Sequence, residues 1–255
     1  MKRQSYSALD QIIAPVSRDV FFSEYFEART LHRSLGHFPF SISEGDASKL
    51  LESAITLDSR NVRANQGGVV LRPPNDIDSE IFAWAIKVYQ SGATIIINKI
   101  ETLDLRILQF SKDIASDFQG RAHITLFWTP ALAQGFAPHF DTLDVFVLQL
   151  FGEKNWSIGP SPVYLPTRRQ GYLVDLGIAP IPKENFSLRR GDSFYIPRGV
   201  VHWAQTSETS SIHLSVEIET VSRGAVLSNE LKCNEVTRRL SSGWPAAGDI
   251  FLKNS

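Results

Sequence analysis

The stretch Gly191-Asp192-Ser193-Phe194-Tyr195-Ile196-Pro197-Arg198-Gly199-Val200-Val201-His202 decides the fold. Gly191 and Asp192 are turn formers, and the run from Ser193 to Ile196 that follows has the length and aromatic, β-branched content of a strand. Pro197 fixes φ and Gly199 lacks a Cβ, so together they shape a tight turn. A second strand then opens at Val201, with His202 at its start. The pattern predicts a hairpin at the rim of a barrel, aiming His202 into the interior.

Upstream stands Pro138-His139-Phe140-Asp141. On a strand, alternate side chains share a face, so His139 and Asp141 point the same way with bases roughly 7 Å apart. Alone, the pair reads better as a surface histidine and a turn-forming aspartate. With His202 downstream, three potential ligands converge. The spacing of the later stretch (Gly, five residues, Pro, one residue, Gly, two residues, His) resembles the second cupin motif. The first cupin motif carries a glutamate separated by six residues from a glycine; with Gly152 as that glycine, the position falls on Val145. What remains is two histidines and one carboxylate, a set that leaves half the coordination sphere open and suits non-haem Fe(II). Zinc competes, because three protein ligands also make a catalytic zinc site. Asp144 falls on the opposite face by strand parity and reads as structural.

Working outward, Val145–Leu150, Asn155–Ile158, Val201–Gln205 and Ile212–Ile218 read as short strands, as do His123–Trp128 and Thr94–Ile97. Gly152-Glu153-Lys154 reads as a hairpin turn between two of them. Helical spacing marks Val20–Arg29, Ala47–Thr56, Ser79–Gln90 and Leu103–Phe118, with a short strand at Gly68–Arg72. The fold class expected from this pattern is mainly β with flanking helices, a barrel or sandwich. Three parts are expected: a mixed segment over 1–92 packing on the barrel, the barrel over 93–219, and a helical extension over 220–255 containing a helix at Ala225–Leu240. That helix is read as a cap on the barrel or a homodimer contact. The proline-rich connection from Gly159 to Lys183, with Arg168, Arg169 and Tyr172, is long enough to be functional. Trp128, Phe136 and Trp203 are candidates for the entrance.

Composition sets the bounds. The chain has 255 residues, 43% hydrophobic and 21% charged, as globular domains do. A net charge of −1 supplies no cationic field for nucleic acid. One cysteine, Cys233, excludes an intramolecular disulfide and a cysteine-rich zinc site. The first residues lack the apolar core of a signal peptide, and no apolar run spans a bilayer. A cytoplasmic enzyme without membrane or nucleic-acid partners is the expectation.

Taken together, Gln134-Gly135, Pro138 to Asp141, Asp144 to Leu150, Gly152 to Trp156, Tyr195 to His202 and Ser211 to Ser215 resemble the core of the JmjC-type oxygenases, most of all their ribosomal-oxygenase branch. The resemblance covers roughly residues 15 to 220 and implies a double-stranded β-helix of the jelly-roll, cupin type. It implies Fe(II), 2-oxoglutarate and O2 as cofactors, with iron on His139, Asp141 and His202. It further implies that Lys154 meets the far carboxylate of 2-oxoglutarate and that Thr125, where relatives often carry asparagine, hydrogen-bonds the same molecule. Glu217 stands where relatives often carry serine. His213 is read as a packed polar side chain rather than a fourth ligand. The implied reaction is hydroxylation of an amino-acid side chain in a peptide or protein. The alternatives are an oxygenase acting on a small molecule and a non-catalytic metal-binding protein. The branch also carries a winged-helix domain, for which residues 220–255 are too few.

Overall fold

Short helices precede the first strand. A computed structural model describes residues 7–167, 170 and 180–220. Ser7 caps α1 (Ala8–Ile13) through a reciprocal bond with Asp10. Next, α2 (Arg18–Val20) runs into a π turn over Phe21–Tyr25. The helix expected over Val20–Arg29 therefore stops early, at a tertiary contact. Glu27 takes φ 58°, and its N–H donates to the Tyr195 hydroxyl at 2.9 Å.

The chain then runs through β1 (Leu31–Ser34), α3 (Glu44–Asp58), β2 (Val62–Gln66), β3 (Val69–Leu71), α4 (Asp78–Gln90) and β4 (Thr94–Ile97). It continues through α5 (Leu105–Asp117), β5 (Gly120–Thr129), β6 (Asp144–Ile158), β7 (Glu184–Arg189), β8 (Asp192–Ile196) and β9 (His202–Thr220). Ser43 and Asp46 form a capping box on α3, and Asp104 caps α5. The expected helix and strand positions over 47–56, 68–72, 79–90, 94–97 and 103–118 agree with α3, β3, α4, β4 and α5 to within a few residues.

Among the described residues all nine strands pair antiparallel, in the order β1-β8-β6-β9-β5-β4-β2-β3, with β7 also on β6. Both β1 and β2 come from the first 92 residues, so that segment supplies strands to the sheet as well as helices. The pairs of short strands expected at 145–150 with 155–158, and at 201–205 with 212–218, are instead two long strands, β6 and β9. They pair along their whole length, with register shifts at Gln149/Phe151 and Gly152/Lys154. A bulge adds twist and bend without breaking the ladder. Gly152 sits at the second shift with φ 63°, where a Cβ would collide with the Ser210 carbonyl oxygen. The Gly-Glu-Lys turn is therefore a bulge.

Bending lets the two halves of each long strand face one another. Val145 and Val147 from the first half of β6 share a buried cluster with Trp156 and Ile158 from the second, closed by Phe194 and Ile196 of β8 and Leu188 of β7. This is the barrel interior. A larger core lies outside it, where the helices cover the sheet; there Phe21, Phe22, Phe26, Phe118, Phe146 and Tyr195 pack mostly edge-on or tilted. The helix expected at Ala225–Leu240 and the loop residues Arg168, Arg169 and Tyr172 lie outside the described residues. Among the described residues no helix is long and apolar enough to cross a membrane.

Candidate metal centre

His139 and Asp141 do not lie on a strand. They occupy an irregular segment between β5 and β6 that touches β9 through two isolated bridges, Gln134 to Gln205 and, at the ligands themselves, His139 to His202. The second bridge is reciprocal: His139 N–H donates to the His202 carbonyl at 3.2 Å, and His202 N–H to the His139 carbonyl at 2.8 Å. The turn after β8 holds the same segment, since Gly199 N–H donates to the Asp141 carbonyl at 2.9 Å. Gly199 takes φ 86° there, and a Cβ would run into the Val163 carbonyl. Backbone bonds thus tie the two distant motifs together.

The side chains converge accordingly. The imidazole rings of His139 and His202 lie 4.5 Å apart. Asp141 Oδ1 is 4.0 Å from His139 Nε2, and Asp141 Oδ2 is 3.5 Å from His202 Nε2. One ligand atom from each residue falls within 4.8 Å of the others, and among the described residues no fourth histidine, cysteine or carboxylate joins them. His139 Nδ1 faces the Ala137 carbonyl at 2.8 Å and His202 Nδ1 the Val200 carbonyl at 3.0 Å. A ring nitrogen facing a carbonyl must donate, so each Nε2 keeps its lone pair for an ion. Burial, and then the neighbouring His139, push the His202 pKa down to about 4, which keeps the ring neutral. Two neutral imidazoles and one carboxylate on one side of a cavity fit a divalent ion of the iron or zinc kind.

That cavity runs into the barrel. Lys154 lines it, 3% exposed, with Nζ donating to Thr129 Oγ1 at 2.8 Å. Thr129 Oγ1 lies 3.0 Å from Thr94 Oγ1. Burial pushes the Lys154 pKa down to about 7. A buried ammonium is unfavourable without an anion beside it. His213 also lines the cavity, stacked on Phe127 at 4.9 Å, with Nδ1 buried and unpartnered. Burial holds its pKa well below the usual value, and it is packed apart from the three ligands.

Phe136, Trp203 and Glu217 line the cavity. Thr125 is buried on the inward face opposite Ser215, which lines the cavity, while Thr125 itself is not in its wall. Trp128 points the other way, its ring 4.4 Å from Tyr89 and its Nε1–H donating to Glu44 at 3.3 Å. Parity explains this: Phe127 faces inward, so Trp128 cannot. Asp144 is structural. Buried at 2% exposure, it accepts from the Tyr195 hydroxyl at 2.6 Å and lies 3.9 Å from Arg198 Nε, while Arg198 also pairs with Glu27 at 2.5 Å. Burial raises the Asp144 pKa against the opposing pull of Arg198. Sequence reasoning missed Arg63, Thr94 and Thr129; only alternation from Phe127 could have flagged Thr129.

Residues 99–225 match the JmjC domain family. The bifunctional lysine-specific demethylase and histidyl-hydroxylase NO66 of Dictyostelium discoideum is 26% identical over 216 residues, covering 80% of this chain and 41% of that protein. Ribosomal oxygenase 1 of Homo sapiens is 27% identical over 228 residues, covering 84% of this chain and 35% of that protein. The chain thus spans well under half the length of these curated relatives. Among solved structures, the ribosomal oxygenase YcfD from Escherichia coli in complex with cobalt and 2-oxoglutarate superposes with a TM-score of 0.55. The match has 16% identity and covers 85% of this chain and 57% of that one, a likeness of fold. With the jelly-roll barrel, its three convergent ligand side chains and these matches in view, the chain belongs to the JmjC-domain family.

Proposed function

We propose that the chain is an Fe(II)- and 2-oxoglutarate-dependent oxygenase that hydroxylates an amino-acid side chain in a peptide or protein. One observation carries the reading: three ligand atoms within 4.8 Å of one another, open on one side to a cavity that also holds the buried cation Lys154. The names of the relatives, ribosomal oxygenase and histidyl-hydroxylase, support a protein substrate. When bound, iron, 2-oxoglutarate and O2 supply the oxidation, in which the keto acid leaves as succinate and CO2 and a C–H bond becomes C–OH.

The chain's own residues bind and orient. His139 and His202 offer Nε2, their tautomers set by the carbonyls of Ala137 and Val200. Asp141 adds the negative charge. Lys154, with the hydroxyls of Thr129 and Thr94, takes the far carboxylate of the cosubstrate, whose arrival satisfies the buried ammonium. Thr125 is proposed for the same molecule on the family resemblance, with its inward strand parity in support. Phe127, Phe136 and Trp156 wall the cavity and exclude water.

Purified protein incubated aerobically with Fe(II) and 2-oxoglutarate should form succinate, and a chelator or omission of either should stop it. A peptide pool digested from cell extract should gain +16 mass in the same reaction. No succinate above the chelated control would remove the oxygenase reading; succinate without any peptide gaining mass would move the substrate to a small molecule.

A further inference from the structure

The cavity extends beyond the metal ligands, past Phe136 and Phe127, to a side chain that neither motif supplies. Arg63, on β2, lines it. Strand register fixes where. Arg63 pairs with Ile96, Ile96 with Phe127, and Phe127 with His213, so the four stand in one row across the sheet. The Nε of Arg63 is buried without a hydrogen-bond partner. Asn65, two residues on and on the same face of β2, is fully buried, and its Nδ2 is likewise unpartnered. Asn65 is not in the cavity wall, whereas the Arg63 donor is, and a buried donor there without an acceptor calls for one from outside the chain.

We propose that Arg63 determines specificity by reading a carboxylate on the substrate. The substrate would then present an aspartate or glutamate side chain, or a chain-terminal carboxylate, beside the carbon to be oxidised. The planar fork of a guanidinium matches a carboxylate in two parallel bonds. A carboxylate is therefore favoured at the Arg63 row. Lys154 stands on a different strand, bonded to Thr129, and serves the cosubstrate. The inference rests on the cavity being the oxygenase active site.

The test uses binding, so that it does not depend on turnover. The protein with Mn(II) and 2-oxoglutarate under nitrogen is titrated with the tripeptides Ac-Gly-Glu-Gly-amide, Ac-Gly-Gln-Gly-amide and Ac-Gly-Lys-Gly-amide, read by saturation-transfer NMR. The glutamyl peptide should bind at least tenfold more tightly than its glutaminyl isostere. In Arg63→Gln that difference should vanish while 2-oxoglutarate affinity stays within twofold, and Arg63→Glu should favour the lysyl peptide. Equal affinity for the glutamyl and glutaminyl peptides, a preference surviving in Arg63→Gln, or no peptide binding overturns the proposal. Succinate formation by the wild type, measured separately, shows whether the oxygenase reading itself has failed.

Discussion

The two poles of the cavity are built by opposite means. At the metal pole, His139 and Asp141 sit on an irregular segment and His202 at a strand start, and reciprocal backbone bonds hold them together. At the cation pole, Lys154 lies within a continuous strand, aimed inward by the bulge at Gly152 and held by one hydroxyl. The metal pole is over-determined by backbone bonds. The cation pole is under-determined, with a buried ammonium that only an anion completes. The contrast suggests that ion binding needs no rearrangement, whereas cosubstrate binding changes the charge state of its own anchor.

Removing a ligand is the harshest way to break this contrast. His202→Ala should lower Mn(II) affinity by more than about 100-fold, beyond what loss of a supporting partner does, and abolish succinate formation. Calorimetric titration with Mn(II) checks the first and NMR detection of succinate the second. Retained metal binding would move the centre elsewhere.

Lys154→Ala attacks the other pole. Losing one partner of a buried charge pair costs about 2 kcal/mol or more, which is about 30-fold in affinity. The dissociation constant for 2-oxoglutarate should rise by at least that factor with Mn(II) affinity unchanged. Equal affinity in mutant and wild type would reject the role of Lys154.

The pH dependence sharpens the same point. With its pKa at about 7 in the empty pocket, Lys154 is largely neutral above that pH, and binding an anion must draw in a proton. Affinity for 2-oxoglutarate should therefore fall as pH rises above 7, by about tenfold per unit at the steepest. Lys154→Arg, charged throughout, should flatten the profile. The same depressed pKa makes the unfolded chain bind more protons between about pH 7 and 10.5, so this group's destabilising contribution fades as pH rises through that window.

The smallest effect belongs behind both poles. Tyr195→Phe leaves Asp144 without its hydroxyl donor and Glu27 N–H without its acceptor, a loss of about 1–3 kcal/mol read as a lower urea midpoint. Metal and 2-oxoglutarate affinities should stay within twofold. A large drop in either would mean that the Asp144–Tyr195–Arg198 network positions the site rather than the fold.

Local chemistry in the sequence singled out His139, Asp141 and His202 as a candidate ligand set and pointed to the barrel class, whereas Lys154 came only from the family resemblance. Turn formers at Gly191, Pro197 and Gly199 fix where a strand ends, and alternation fixes which way its side chains point. It misplaced the Gly152 bulge as a turn, placed His139 and Asp141 on a strand, and turned Trp128 toward the entrance. It was silent on Arg63, Thr94 and Thr129 as neighbours of the site, and on β1, β2 and β7. Only the tertiary structure decided these. Which strands pair, and in what register, depends on contacts between residues far apart in the chain, and the local preferences of β2 or β5 contain no information about the partner each will meet.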